Sequence, residues 1–260
     1  QQLGYTFFKR FTKHLRKGAM LESLQSFASL APVALSIAPY LAAFRTQHKD
    51  QQLLNDVTVA FNLPKQLAAT SKKAWITDTY SDYDPVSRFT RTLVKTASRS
   101  SRDLTLITCL EKPPEDLPVK TKNFTPVGLF SLPEYHNTKL AFQPFMEMIE
   151  YLENEQISEV IVSSPGPMGL IGIAAARLLK LEISGIYFSN LPATVVGATE
   201  DEAVEGIVWR YLQWFYSQVD KVYALTEEQR DFLIEKNLTP EKLDILPMGV
   251  DSHFFNPKKR

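Results

Sequence analysis

The chain has 260 residues, 29 Lys and Arg against 29 Asp and Glu, and a hydrophobic share of 44%. That is enough apolar material for a full globular core, and the zero net charge gives no whole-chain argument for nucleic acid as a partner. The single cysteine, Cys109, excludes an intrachain disulfide framework and fits a reducing, cytoplasmic compartment. The four histidines are scattered, and no metal-ligand spacing forms, so no metal and no cofactor are expected.

The charge is unevenly placed. Residues 1–70 carry eight Lys and Arg against three Asp and Glu, a net of +5 that the remainder balances. They read as a helical segment distinct from residues 71–260. Phe7, Phe8, Phe11 and Leu15 recur at helical spacing, with Lys9, Arg10, Lys13, Arg16 and Lys17 on the other face. Two readings fit residues 5–17: a basic helix on an anionic membrane surface, or a solvated helix packed on its neighbour. Residues 23–44 hold no charge and have the length of a membrane span, but Pro32, Pro39, Gln25 and four serines interrupt them. Two buried helices broken at the prolines fit better. The chain shows no signal peptide, opens on Gln1 and closes on Lys258-Lys259-Arg260, and is expected to be a fragment of a longer protein.

From Lys72 the rhythm turns to α/β alternation. Residues 74–77 predict a strand, 86–99 a helix and 104–109 a strand in which Cys109 is a buried thiol. A Pro- and charge-rich loop is expected over 111–123, a short strand over 124–130 and a helix over 138–153. Then come strand 159–163, helix 168–180, strand 182–188, helix 200–218, strand 221–225, helix 227–236 and strand 243–246. Strands separated by helices of this length predict an α/β fold, a Rossmann-like parallel sheet flanked by helices with right-handed crossovers.

The run Ser163-Ser164-Pro165-Gly166-Pro167-Met168-Gly169 joins an apolar strand to a small-residue helix. Such a turn points backbone N–H groups at the space above the strand end, where ligands bind in open α/β sheets and anions are favoured. Its glycine spacing is neither the dinucleotide pattern nor a P-loop, and an ordinary strand-to-helix turn explains it equally. The aromatic residues Trp209, Tyr211, Trp214, Phe215 and Tyr216 could stack on a sugar, but their apolar neighbours fit a core face better. Glu200, Asp201, Glu202 and Glu205 suit the first turn of a helix. Asp84, ahead of Pro85, is either a helix cap or a ligand contact.

Over about residues 72–260 four ordered passages resemble the N-terminal half of a retaining glycosyltransferase of family 4, with the two-lobed GT-B fold. They are Thr77-Asp78-Thr79, the Ser163–Gly169 run, Gly185-Ile186-Tyr187-Phe188-Ser189-Asn190-Leu191-Pro192 with Trp209–Tyr216 after it, and Leu246-Pro247-Met248-Gly249-Val250-Asp251. The resemblance implies an acceptor-binding lobe, a nucleotide sugar and a glycosyl acceptor as partners in the intact protein, and a donor-binding lobe lying outside this chain. The fragment alone is then expected to be inactive. It implies Asp84, Ser164, Gly166, Ser189 and Asn190 as substrate contacts and Gly249 and Asp251 as hinge-side structure. Two positions depart from the family. The loop after the first strand, normally glycine-containing, reads Asp82-Tyr83-Asp84-Pro85, and Phe188 stands where a histidine is usual. Phe188 has no proton chemistry, and Ser189 and Asn190 can hydrogen-bond a sugar without acting as acid or base. A divergent enzyme and a non-catalytic carbohydrate-binding or scaffolding descendant both fit these departures.

Overall fold

A computed structural model describes residues 51–62, 72–78, 85–114, 120–131, 139–188 and 202–247, with single positions at 39, 43, 80, 117, 192 and 249. The expectations for residues 5–17 and 23–44 lie outside them, save for Pro39 and Ala43. Helix α1 (Gln51–Ala60) precedes the α/β region. There follow β1 (Lys73–Ile76), α2 (Pro85–Arg99), β2 (Leu104–Thr108), β3 (Thr121–Asn123), β4 (Gly128–Ser131), β5 (Lys139–Phe142) and α3 (Phe145–Asn154). Next are β6 (Glu159–Val162), α4 (Pro167–Leu178), β7 (Glu182–Ile186), α5 (Glu202–Ser217), β8 (Lys221–Ala224), α6 (Glu227–Glu235) and β9 (Leu243–Ile245).

Seven strands form one sheet in the order β3-β2-β1-β6-β7-β8-β9, parallel at every pairing. The predicted Rossmann-like architecture is therefore present. The chain leaves β1 toward β2 on one side and later returns to the other side as β6. The order of strands reverses at the carboxyl ends of β1 and β6, the place where open α/β sheets bind their ligands.

Alternation along the central strands supplies both faces of the core. Ala74, Ile76, Ile107, Val160 and Val162 point to the side that also holds Met148, Leu152, Met168, Ile173, Leu212 and Phe215. Trp75, Leu106 and Ile186 point to the other, with Phe89 and Val94 of α2. Burial on both faces is why these strands read as continuous apolar runs rather than as alternating ones.

Two expectations are corrected. Residues 138–153 are not one helix: Lys139–Phe142 pairs antiparallel with Gly128–Ser131, and α3 starts after Pro144. Proline disfavours helical angles at the residue before it, so the helix cannot run back through Gln143. The loop expected over 111–123 contains the edge strand β3, paired with β2 from Leu106 to Thr108. Its residues Thr121, Lys122 and Asn123 carry no apolar signal. The Asn123 carboxamide secures the edge by accepting from the Leu110 N–H at 2.8 Å and donating to the Leu110 carbonyl at 3.0 Å.

Candidate functional site

The switch point lies where β1, β6 and the start of α4 meet. Gly166 is the N-cap residue of α4, extended at φ −94° and ψ −171°, with no side chain to offer the helix, and Pro167 follows it. Proline at the first helical position has no N–H to satisfy. The next N–H, of Met168, needs an acceptor, and it comes from another strand: Asp78, two residues beyond β1, accepts it on Oδ1 at 3.0 Å. The other carboxylate oxygen of Asp78 accepts from the Ser164 hydroxyl at 2.6 Å. Asp78 thus caps α4 from outside the helix, and its negative charge sits at the positive end of the helix dipole.

Glycine is required at two places. A Cβ on Gly166 would overlap the Asp78 carboxylate, and a Cβ on Gly169 would overlap the Ser164 carbonyl oxygen. The turn is fixed further by the Tyr211 hydroxyl, which donates to the Pro165 carbonyl at 2.5 Å, and by Gln143, which donates to the Pro167 carbonyl at 2.5 Å. Burial, with the Asp78 charge adding to it, pushes the Tyr211 phenol up to about 12. The Cys109 thiol is raised to about 12 by burial first, then by the Asp78 and Glu147 charges. Both shifts favour the neutral form, and the burial of Cys109 fits a structural thiol.

The structure brings Ser164 and Gly166 together at the switch point. Phe188 lies just past β7 on the opposite face, stacked on Trp75 at 6.5 Å between ring centres and edge-on to Phe89 at 5.4 Å. It is part of the cluster under α2. Gly249 is exposed, with open space where a Cβ would stand. Asp84, Ser189, Asn190 and Asp251 lie outside the described residues. On α5, Trp209, Leu212, Phe215 and Tyr216 are core as expected, with Trp209 and Tyr216 packed on Tyr187. Trp214 departs from that reading: it is 52% exposed, as Ile207 is 62% exposed, one helical repeat apart on the same face.

Asp78 and Tyr211 are the site residues that sequence reasoning did not select. Asp78 had a signal, a lone acid directly after a buried strand. For Tyr211 the sequence offers sugar stacking or a core place, and neither marks its hydrogen bond to the Pro165 carbonyl. Among the described residues no cluster of His, Cys, Asp and Glu could hold a metal ion, and no helix is long and apolar enough to cross a membrane.

Comparison with known proteins bears on this geometry. The family model described as Glycosyltransferase Family 4 matches residues 86–254. No curated protein matches. Among solved structures, HepE from Anabaena in complex with UDP and glucose aligns at a TM-score of 0.50 and 10% identity, covering 73% of this chain and 48% of that one. The same protein with UDP-glucose aligns at 0.49 and 10% identity, over 72% and 47%. The UDP-GlcNAc 2-epimerase from Methanocaldococcus jannaschii aligns at 0.41 and 14% identity, over 67% and 45%. The chain spans about half the length of the solved structures it matches. With the family model covering well over half of its residues, the chain belongs to glycosyltransferase family 4.

Proposed function

We propose that this chain is the acceptor-side lobe of a two-lobed glycosyltransferase that moves a sugar from a nucleotide-sugar donor with retention of configuration. The observation that carries the reading is the family match over residues 86–254, which spans α2 to β9 and so includes the β6–α4 turn. The switch-point crevice is where an α/β sheet binds its ligand. In this reading Ser164, Gly166, Asp84, Ser189 and Asn190 line the acceptor side. The donor is held by a second lobe of the intact protein, and Gly249 and Asp251 lie on the hinge side between them. HepE was solved with UDP and with UDP-glucose. A nucleotide sugar is accordingly the donor class proposed here.

The chemical demand is specific. As the glycosidic bond to phosphate breaks, positive charge grows at the sugar carbon and negative charge on the departing phosphate, and both must be stabilised away from water. The acceptor lobe's share is to hold a hydroxyl group in line for attack. The test is to incubate the complete protein with a panel of nucleotide sugars and acceptors, and to read nucleotide release and the anomeric configuration of the product. Transfer with the donor's configuration kept supports the reading; inversion contradicts the retaining mechanism.

One observation favours a second reading, a non-catalytic carbohydrate-binding descendant. Phe188 is not merely a missing histidine: it is built into the apolar cluster of Trp75 and Phe89. Under that reading the complete protein binds saccharides and releases nucleotide from no donor.

A further inference from the structure

A helix N-terminus at a switch point is an anion site, and in α4 that site already holds an anion. Asp78 Oδ1 takes the Met168 N–H, Oδ2 takes the Ser164 hydroxyl, and the bare Cα of Gly166 makes room for the carboxylate. We propose that Asp78 is a specificity-determining residue: it is the resident anion of the α4 amino terminus, and it turns the crevice away from phosphorylated ligands toward neutral, hydroxyl-bearing acceptors. The consequence for acceptors rests on the acceptor-side reading above; the occupancy itself does not.

The argument is one of space and charge. A phosphate oxygen placed to accept from Met168 would have to occupy the position of Oδ1. The dipole of α4 and the Ser164 hydroxyl are likewise engaged by Asp78. An incoming phosphate would meet a like charge where a free helix terminus would offer attraction. A neutral acceptor meets no such repulsion and finds a carboxylate edge, a favourable partner for hydroxyl donors.

The test is thermal unfolding of the chain and its Asp78→Gly variant in formate, inorganic phosphate and chloride at matched ionic strength. The variant is expected to melt several degrees lower in chloride and to recover in formate and in phosphate, either of which can occupy the vacated helix terminus. The unaltered chain supplies the baseline, since phosphate stabilises any folded chain by exclusion from its surface, and the variant's response is read against it. Equal responses in both proteins, or no recovery of the variant by either formate or phosphate, would overturn the proposal. Should the variant not fold, the unaltered chain decides: its Met168 amide resonance is expected to stay in place through tens of millimolar phosphate. A saturable shift there overturns the proposal. In the complete protein, a neutral acceptor should be used with roughly tenfold or greater preference in kcat/KM over its phosphorylated form. That preference should fall in Asp78→Asn. Equal use of both forms contradicts the specificity role, whereas no transfer to any acceptor sinks the acceptor-lobe reading and leaves the anion tests standing.

Discussion

Asp78 and Ser164 meet at 2.6 Å across the reversal point of the sheet, although 86 positions of chain separate them. The contact ties the end of β1 to the end of β6 and, through Met168, to the start of α4. One carboxylate therefore sets the shape of the crevice, and the glycines of the turn are there to admit it.

The two glycines should differ in what they tolerate. A methyl group at Gly169 meets the backbone carbonyl of Ser164, which cannot move without shifting β6, and it also crowds Phe215. Gly169→Ala is expected to cost about 3 kcal/mol or more. At Gly166 the obstacle is the end of the Asp78 side chain, which can rotate at the expense of its cap, so Gly166→Ala should cost about 1–2 kcal/mol. Urea unfolding of the two variants checks the order; a larger loss at Gly166 would mean that Asp78 is not where it is described.

Restoring the family histidine should not restore chemistry. In Phe188→His an imidazole replaces a ring packed on Trp75 and Phe89, and burying that polar group costs about 1–3 kcal/mol. Lower stability and no gain in transfer by the complete protein are expected. A rise in transfer rate would show that the ring leaves the cluster and reaches the substrate.

Stability should fall in alkali. Burial raises the Cys109 thiol from 9.0 to about 12 and the Tyr187 and Tyr211 phenols from 10.0 to about 12. All three are held neutral in the folded chain and ionise earlier in the unfolded one. Their contribution is complete below about pH 9 and is lost as the pH climbs toward about 12. The urea midpoint is expected to be lower at about pH 10.5 than at about pH 8, with a smaller drop in Cys109→Ala. A pH-independent midpoint over that interval would contradict the burial of these groups.

The helix ends offer a stabilising change. Residues Ser101, Gln156, Lys180 and Asn237 all have positive φ, between 53° and 63°. Each is followed by an N–H that reaches back five residues: Arg102 to Ala97, Ile157 to Leu152, Leu181 to Ala176 and Leu238 to Leu233. These are Schellman caps, a position where glycine avoids the strain of a side chain. Ser101→Gly should stabilise the chain by roughly 1 kcal/mol, read as a higher melting temperature. A loss of stability would mean that the side chain makes compensating contacts.

Those caps also show where the sequence was opaque. None of the four carries a glycine, so these helix ends have no marker in the sequence, and the helix expected over 138–153 begins only after Pro144. The central strands were legible because both faces are buried and the runs 104–109 and 159–163 have few polar interruptions. The edge strand Thr121–Asn123 was not, because its pairing comes from position beside β2 and from the Asn123 carboxamide rather than from apolar side chains. At the site, the turn Ser163–Gly169 was visible through its Gly and Pro residues. The acid after β1 was visible as well, but its partner was not, since a contact spanning 86 positions leaves no local pattern.

In the function proposed above, this lobe holds the acceptor and not the donor. The direct test is the pair of Michaelis constants in the complete protein carrying Ser189→Ala and Asn190→Ala. The account predicts an acceptor KM raised by roughly fivefold or more, the loss of one or two hydrogen bonds, with the donor KM unchanged. A raised donor KM with the acceptor KM unmoved would contradict it and assign this lobe to the nucleotide sugar.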